Sequence, residues 1–366
     1  MARIQLIDIA HSYDARAGRS TAPGPGETPA WALKPMTMAW DDGGAYALLG
    51  PSGCGKTTLL NIISGLVRPS RGTVLFDERD VTALPPETRN IAQVFQFPIV
   101  YDTMTIFDNL AFPLRNRRWQ AADIRKRVHE IAGILELDAD LGRRAHGLSA
   151  EVKQRISLGR GLVRPDVAAV LFDEPLTVID PHVKWLLRRK LKQIHQQLRL
   201  SLIYVTHDQT EALTFADRVV VMTHGEVVQI GTAEELFETP AHQFVGHFIG
   251  SPGMNFLACE WHAGVAQVGG IGLESSSAVA PGVHESLCLG IRPEYVQLRE
   301  SPGENCLPVR VVRVRDEGIR AMAELEITGH SIWARLRASP RLPAIGPAFA
   351  HFPAERCALY ADGRRV

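Results

Sequence analysis

The sequence carries no excess of charge of either sign. Its 40 basic residues are matched by 40 acidic ones, so the formal net charge at pH 7 is +0. Without a long-range field, a nucleic acid or an anionic membrane surface would have to be held by local contacts alone, and no nucleic-acid partner is expected. Also missing is any uninterrupted apolar run of bilayer length. Arg3-Ile4-Gln5-Leu6 leads directly into alternating sequence, without the apolar centre of a secretory signal. The chain is therefore expected to remain in the cytoplasm and not to span a membrane. Cysteine is sparse: Cys54, Cys259, Cys288, Cys306 and Cys357 are scattered, odd in number and without CxxC spacing. That argues against both a zinc site and a disulfide framework, and reduced thiols are expected. No self-similar period recurs, which excludes a solenoid or a propeller.

What is present is an ordinary globular composition. A chain of 366 residues that is 45% hydrophobic can bury at least one full core and divides into two or three domains. Ile4 to Ile9 alternates as a strand does, and Asp14 to Ala30 reads as a Gly/Pro/Ser/Thr-rich surface loop. Ala45 to Leu49, Ala168 to Phe172, Leu202 to Val205 and Val219 to Met222 are short apolar runs of buried-strand type. Between them lie helical patterns over 121–137 and 182–198. Alternating strands and helices imply a parallel sheet, with a helical insert between its first and second core strands. Beyond Pro240 the texture changes to short alternating stretches such as 308–314 and 331–336, separated by Gly and Pro, which predicts a separate β-rich domain.

One segment carries chemistry outright. Gly50-Pro51-Ser52-Gly53-Cys54-Gly55-Lys56-Thr57-Thr58 fits G-x-x-x-x-G-K-[ST], and it follows a buried strand and opens a helix, as the phosphate loop requires. Glycine there lets successive backbone N–H groups turn inward around phosphates, Lys56 can neutralise their oxygens, and the Thr57 hydroxyl can ligate Mg²⁺. Cys54 reads as a small filler within the loop. The apolar strand at 168–172 ends in adjacent acids. Asp173 stands where ligands bind in open α/β sheets and can hold the Mg²⁺ shell, while Glu174 can polarise the water that attacks a γ-phosphate.

Taken in order, GPSGCGKTT, Val94-Phe95-Gln96, Leu171-Phe172-Asp173-Glu174-Pro175, Val178-Ile179-Asp180-Pro181 and Tyr204-Val205-Thr206-His207-Asp208 resemble the ABC ATPases. The resemblance implies a RecA-like P-loop nucleotide-binding domain of the α/β class over 1–238, with a helical subdomain at about 97–165. It further implies that Gln96 contacts nucleotide and Mg²⁺, that Asp180 belongs to the shared site, that His207 senses the γ-phosphate, and that Tyr13 stacks on adenine. Pro240 to Asn255 and Leu289-Gly290-Ile291-Arg292-Pro293-Glu294-Tyr295 are similar to the linker and C-terminal domain of importer ATPases for sugars, polyols and glycerol phosphate. A β-rich, OB-like regulatory domain is thus expected over 239–366. The chain is most similar to the ATPases of a bacterial glycerol importer, and the implied activity is ATP hydrolysis at the cytoplasmic face of a bacterial inner membrane that powers import of a sugar or polyol, such as glycerol or glycerol 3-phosphate. Implied partners are two transmembrane permease subunits, a second ATPase subunit and, indirectly, an external substrate-binding protein. The alternative is a soluble ABC ATPase with a regulatory or nucleic-acid-linked role, which would call for a basic stripe, a coiled-coil arm or a second cassette. The sequence has no NKxD motif for reading guanine.

The chain departs from the family at the signature. Where the family has LSGGQ, this sequence has Leu148-Ser149-Ala150-Glu151-Val152, followed by the matching Lys153-Gln154-Arg155. In the family this loop closes over the γ-phosphate held by the opposite subunit, and Ser149 would keep its contact. Glu151 either brings a carboxylate toward a polyanion or turns away as a favourable first-turn acid, and the sequence leaves both open. Because the sites are composite, a pair of two different ATPases is favoured over a pair of identical ones.

Overall fold

The computed structural model describes residues 2–14, 30–262, 264–276, 286–318, 320–337 and 343–366, so nearly all of the loop read over 14–30 lies outside the described residues. The chain forms two compact units, Met1–Ala233 and Glu234–Val366.

The first unit holds two sheets. Strands β1 (Ile4–His11), β2 (Leu33–Trp40), β4 (Arg71–Phe76) and β5 (Arg79–Asp80) make an antiparallel sheet in the order β2-β1-β4-β5. The second sheet runs β10-β9-β3-β8-β7-β6, built from β3 (Ala45–Leu49), β6 (Ala92–Val94), β7 (Val170–Asp173), β8 (Leu202–Thr206), β9 (Arg218–Thr223) and β10 (Glu226–Gly231). All of its pairings are parallel except β9 with β10. Every residue of β3 and β8 is buried, which is why both read as unbroken apolar runs. Burying a leucine such as Leu48 or Leu49 contributes about 1.5–3 kcal/mol, so the centre of this sheet anchors the unit.

Helix α1 (Lys56–Ser64) leaves the end of β3 through Gly55 at φ 101 and stops at Gly65 at φ 84, both left-handed positions that suit glycine. The helical insert is α2 (Ile106–Arg115), α3 (Ala121–Ile134) and α4 (Ala150–Leu162). It does not lie between the first and second core strands, because the three-residue β6 comes first and pairs in parallel with β7. Helix α5 (Pro181–Leu198) opens with Asp180 as cap and Pro181 in the first turn, and buries Leu187, Leu191 and Ile194 on one face. Helix α6 (Gln209–Phe215) is capped by Asp208, whose Oδ1 accepts from the Thr210 and Glu211 N–H groups at 2.7 and 3.1 Å. No described helix is long and apolar enough to cross a membrane.

The second unit is β-rich, with antiparallel sheets of four, three and five strands. The stretch 308–314 lies in a strand, Cys306–Asp316, in which Leu307, Val309 and Val311 are buried. A register shift between Val311 and Arg313 keeps Arg313 exposed and gives Val314 a partly buried place against the core. The strand at His330–Arg337 covers the other predicted stretch. Arg292 explains the LGIRPEY motif. Its guanidinium is 2% exposed, lies 4.3 Å from the Phe237 ring, and donates to the carbonyls of Phe237 (2.9 Å), Gly246 (2.8 Å), Leu236 (3.3 Å) and Ile249. It thereby binds the helical connector at 236–249 to the sheets that follow within this unit.

Candidate functional site

Three parallel strands end side by side, with Leu49 opposite Thr206 and Asp173 opposite Val205. The phosphate loop leaves β3, the paired acids end β7, and His207 follows β8, so the topology alone brings three distant motifs together.

The loop is packed beneath and open above. A Cβ on Gly50 would stand 2.2 Å from the Met222 carbonyl oxygen, and one on Gly55 would stand 2.6 Å from that of Ala32, so neither position admits a side chain. Gly53, at φ +78, faces open space. Pro51, Ser52 and Gly53 are exposed, while the Cys54 thiol is buried and burial pushes its pKa up. Lys56 is buried as well, and its ammonium donates to the carbonyls of Gly50 at 2.8 Å and Pro51 at 2.9 Å, which holds it across the loop. A floor of glycine with a buried cation along it suits a polyphosphate.

The residues predicted to hold the metal meet in part. Thr57 Oγ1 donates to Asp173 Oδ1 at 3.3 Å, giving the hydroxyl and carboxylate pair that Mg²⁺ accepts beside phosphate oxygens. Burial raises the Asp173 pKa, and the Thr57 hydrogen bond opposes that rise. Gln96 is half-buried just beyond β6, and among the described residues no hydrogen bond joins it to Thr57 or Asp173.

Glu174 and His207 are in contact, with Glu174 Oε1 at 3.1 Å from His207 Nδ1. Glu174 adopts φ +45, an uncommon conformation for a non-glycine residue, and its N–H donates to the Val205 carbonyl at 3.0 Å. Beneath His207 lies a buried carboxylate that the sequence reading passed over: Glu211 accepts from Tyr204 Oη at 3.1 Å and Thr206 Oγ1 at 2.9 Å. Tyr13 is 65% exposed, shares a 3.1 Å hydrogen bond with Thr58 Oγ1, and meets His11 edge-on at 4.6 Å. It thus stands beside the phosphate loop with a ring face available for stacking.

Two predicted residues act as helix caps. Asp180 accepts from the His182 N–H at 2.9 Å, and Ser149 accepts from the Val152 N–H at 3.4 Å. The question left open at Glu151 has a definite answer: its carboxylate points one turn along α4, where Arg155 Nη2 donates to it at 3.0 Å. Arg155 also lies 3.9 Å from Glu136, which in turn is paired with Lys190 of α5, so the three side chains and Glu151 form one charge network. Arg155 was visible only as a family match beside the altered signature, with no spacing rule to mark its place in this network.

The ABC transporter family model matches residues 33–177. The chain is 38% identical over 339 residues to the sn-glycerol-3-phosphate import ATP-binding protein UgpC of Salmonella typhimurium, covering 91% of this chain and 95% of that protein. With UgpC of Pectobacterium atrosepticum it shares 38% identity over 371 residues, covering 98% of each. Among solved structures, cbiO1 from Clostridium perfringens, described as part of the ABC transporter complex cbiONQ, matches with a TM-score of 0.56 and 25% identity, over 64% of this chain and 90% of that one.

Proposed function

Since the chain belongs to the ABC transporter family, as an ATP-binding and ATP-hydrolysing subunit for import, we propose that it powers uptake of a polyol or its phosphate, with glycerol 3-phosphate first among the cargoes. The relatives named for that cargo align along almost the whole chain, including the C-terminal unit, and this supports the cargo assignment. The observation that carries the hydrolytic reading is the convergence of Thr57 with Asp173 and of Glu174 with His207 at adjacent strand ends.

In this reading Lys56 and the inward N–H groups of 50–58 bind the phosphates of ATP, Tyr13 stacks on the adenine, and Thr57 and Asp173, with Gln96, hold Mg²⁺. Bound Mg²⁺ would neutralise charge on the phosphate oxygens. Glu174 takes a proton from the attacking water, and His207 orients the carboxylate through their contact. Ser149 and Asp180 serve the interface with a second ATPase subunit, and ATP-driven closure of the pair is passed to two membrane permease subunits at the cytoplasmic face of the inner membrane. An external binding protein would deliver the cargo. Phe97, Ile99 and Tyr101 are exposed apolar side chains just past Gln96, at 69, 51 and 40%, and offer the permease a surface.

The second ATPase is proposed to be a different chain. That rests on the missing glycines of the signature, since the Glu151 charge is already neutralised by Arg155. The test is a pull-down of the tagged chain from its native membranes with identification of partners. The expected result is two permeases plus a second ATPase, with turnover lost in Glu174→Gln while ATP still binds. Recovery of one ATPase species, fully active in uptake, would remove the mixed pair, and recovery without permeases would remove the transport role.

A further inference from the structure

Helix α4 grips the segment that carries Gln96 with three side chains, and Arg164 just past the helix end adds a fourth. Lys153 is paired with Asp102 at 2.8 Å, and Gln154 donates to the Phe95 carbonyl at 3.2 Å. Arg160 donates to the Ile99 carbonyl and lies 4.6 Å from the Tyr101 ring centroid, and Arg164 donates to the Ile91 carbonyl at 3.2 Å. Of the four, Gln154 alone also reaches the acidic end of β7, where it donates to the Pro175 carbonyl at 2.8 Å.

The chemistry fixes which end of this amide is which. Both neighbours are carbonyls, which only accept, so the nitrogen faces them and both of its N–H bonds are engaged. The side chain is 0% exposed, and its Oε1 is buried with no hydrogen-bond partner. Phe95 immediately precedes Gln96, and Pro175 immediately follows Glu174. Proline has no N–H, so its carbonyl is the handle its backbone offers at this turn. On the other side of the turn the Glu174 N–H is tied to Val205, and the left-handed conformation between these two ties must be imposed by its surroundings.

We propose that Gln154 is a positioning residue for hydrolysis: it fixes the turn bearing Glu174 to the segment bearing Gln96, so that a displacement of one is carried to the other. The inference rests on Glu174 acting as the base proposed above. A donor shared between two backbone carbonyls couples the segments without touching nucleotide, so its loss falls on the catalytic step and leaves ATP binding intact.

The test uses the full-length chain in the complex recovered from its membranes, with its permeases and second ATPase subunit. In Gln154→Leu, which removes both donors, kcat for ATP hydrolysis is expected to fall roughly ten- to a hundredfold while KM and ATP affinity stay within about twofold. Gln154→Glu keeps the shape but can donate to a carbonyl only when protonated. A protonated carboxyl offers one O–H where the amide offers two N–H bonds, so its kcat, as a fraction of wild type at the same pH, is expected to recover in part as pH is lowered, whereas that of Gln154→Leu stays low at every pH. The proposal is overturned if Gln154→Leu keeps wild-type kcat, if kcat and ATP affinity fall together, or if Gln154→Glu shows no recovery in acid. Should Gln154→Leu fail to fold, the pH profile of Gln154→Glu decides alone. An inactive wild type, or an active Glu174→Gln, would instead unseat the hydrolytic reading itself.

Discussion

Asp173 is a carboxylate placed where ionisation is uphill: burial raises its pKa, and the Thr57 hydroxyl offsets only part of the rise. A carboxyl pKa raised in the folded state favours the protonated form, so this group's contribution to stability is present in acid and lost as pH rises through the folded value. Two outcomes follow at different readouts. Asp173→Asn is expected to raise the thermal unfolding temperature at neutral pH while abolishing ATP hydrolysis, the trade expected of a site strained for function. In the wild type, half-activation by Mg²⁺ is expected to demand more metal as pH falls, beginning above the ordinary aspartate range, because protons and metal compete for one carboxylate. Titrating ATPase activity with Mg²⁺ at several pH values checks this. The residue types of the site were legible because a phosphate loop and a strand ending in acids leave strong local patterns. Gln154 and Glu211 were not, because each works through contacts with residues distant in the sequence or through burial, and neither writes a spacing into the chain.

Long, strongly patterned elements were equally legible. The run 45–49 and the helical pattern over 182–198 emerge as β3 and α5, whose capping Asp180 and following Pro181 mark the start. Strand β6 escaped because three residues are too few for any periodicity, and it exists through its pairing with β7. In the second unit one buried cation stands in for such local signals. Arg292 saturates carbonyls at 236, 237, 246 and 249, so removing it strands several buried acceptors at once. Arg292→Ala is expected to destabilise this unit by about 3–5 kcal/mol, and Arg292→Lys to restore little, because a single ammonium cannot span the fork. Denaturant unfolding with separate probes in the two units would register the loss in the C-terminal transition alone.

At the scale of the molecule, the division into an α/β unit and a β-rich unit was legible from the change of texture past Pro240, because sheet class follows from whether strands alternate with helices. Three buried groups of the β-rich unit titrate well above their ordinary values. Burial pushes Cys259 to about 11, and Cys357 and Tyr360 to about 12. Folded values above the unfolded ones mean that the stabilisation is complete below pH 9.0 for the thiols and is lost as pH rises toward those higher values. Stability of this unit is therefore expected to decline between about pH 9 and 12, with a shallower slope in Cys357→Ala, measurable by denaturant unfolding across that range. The parallel sheet of the first unit has a different consequence, which concerns the order of synthesis. Strand β3 finds its two neighbours only at 202–206 and 218–221, 157 and 172 residues downstream of the positions they pair with. On the ribosome the phosphate loop is thus made early and finished late: its strand emerges apolar on both faces and stays unpaired until β8 and β9 have been translated.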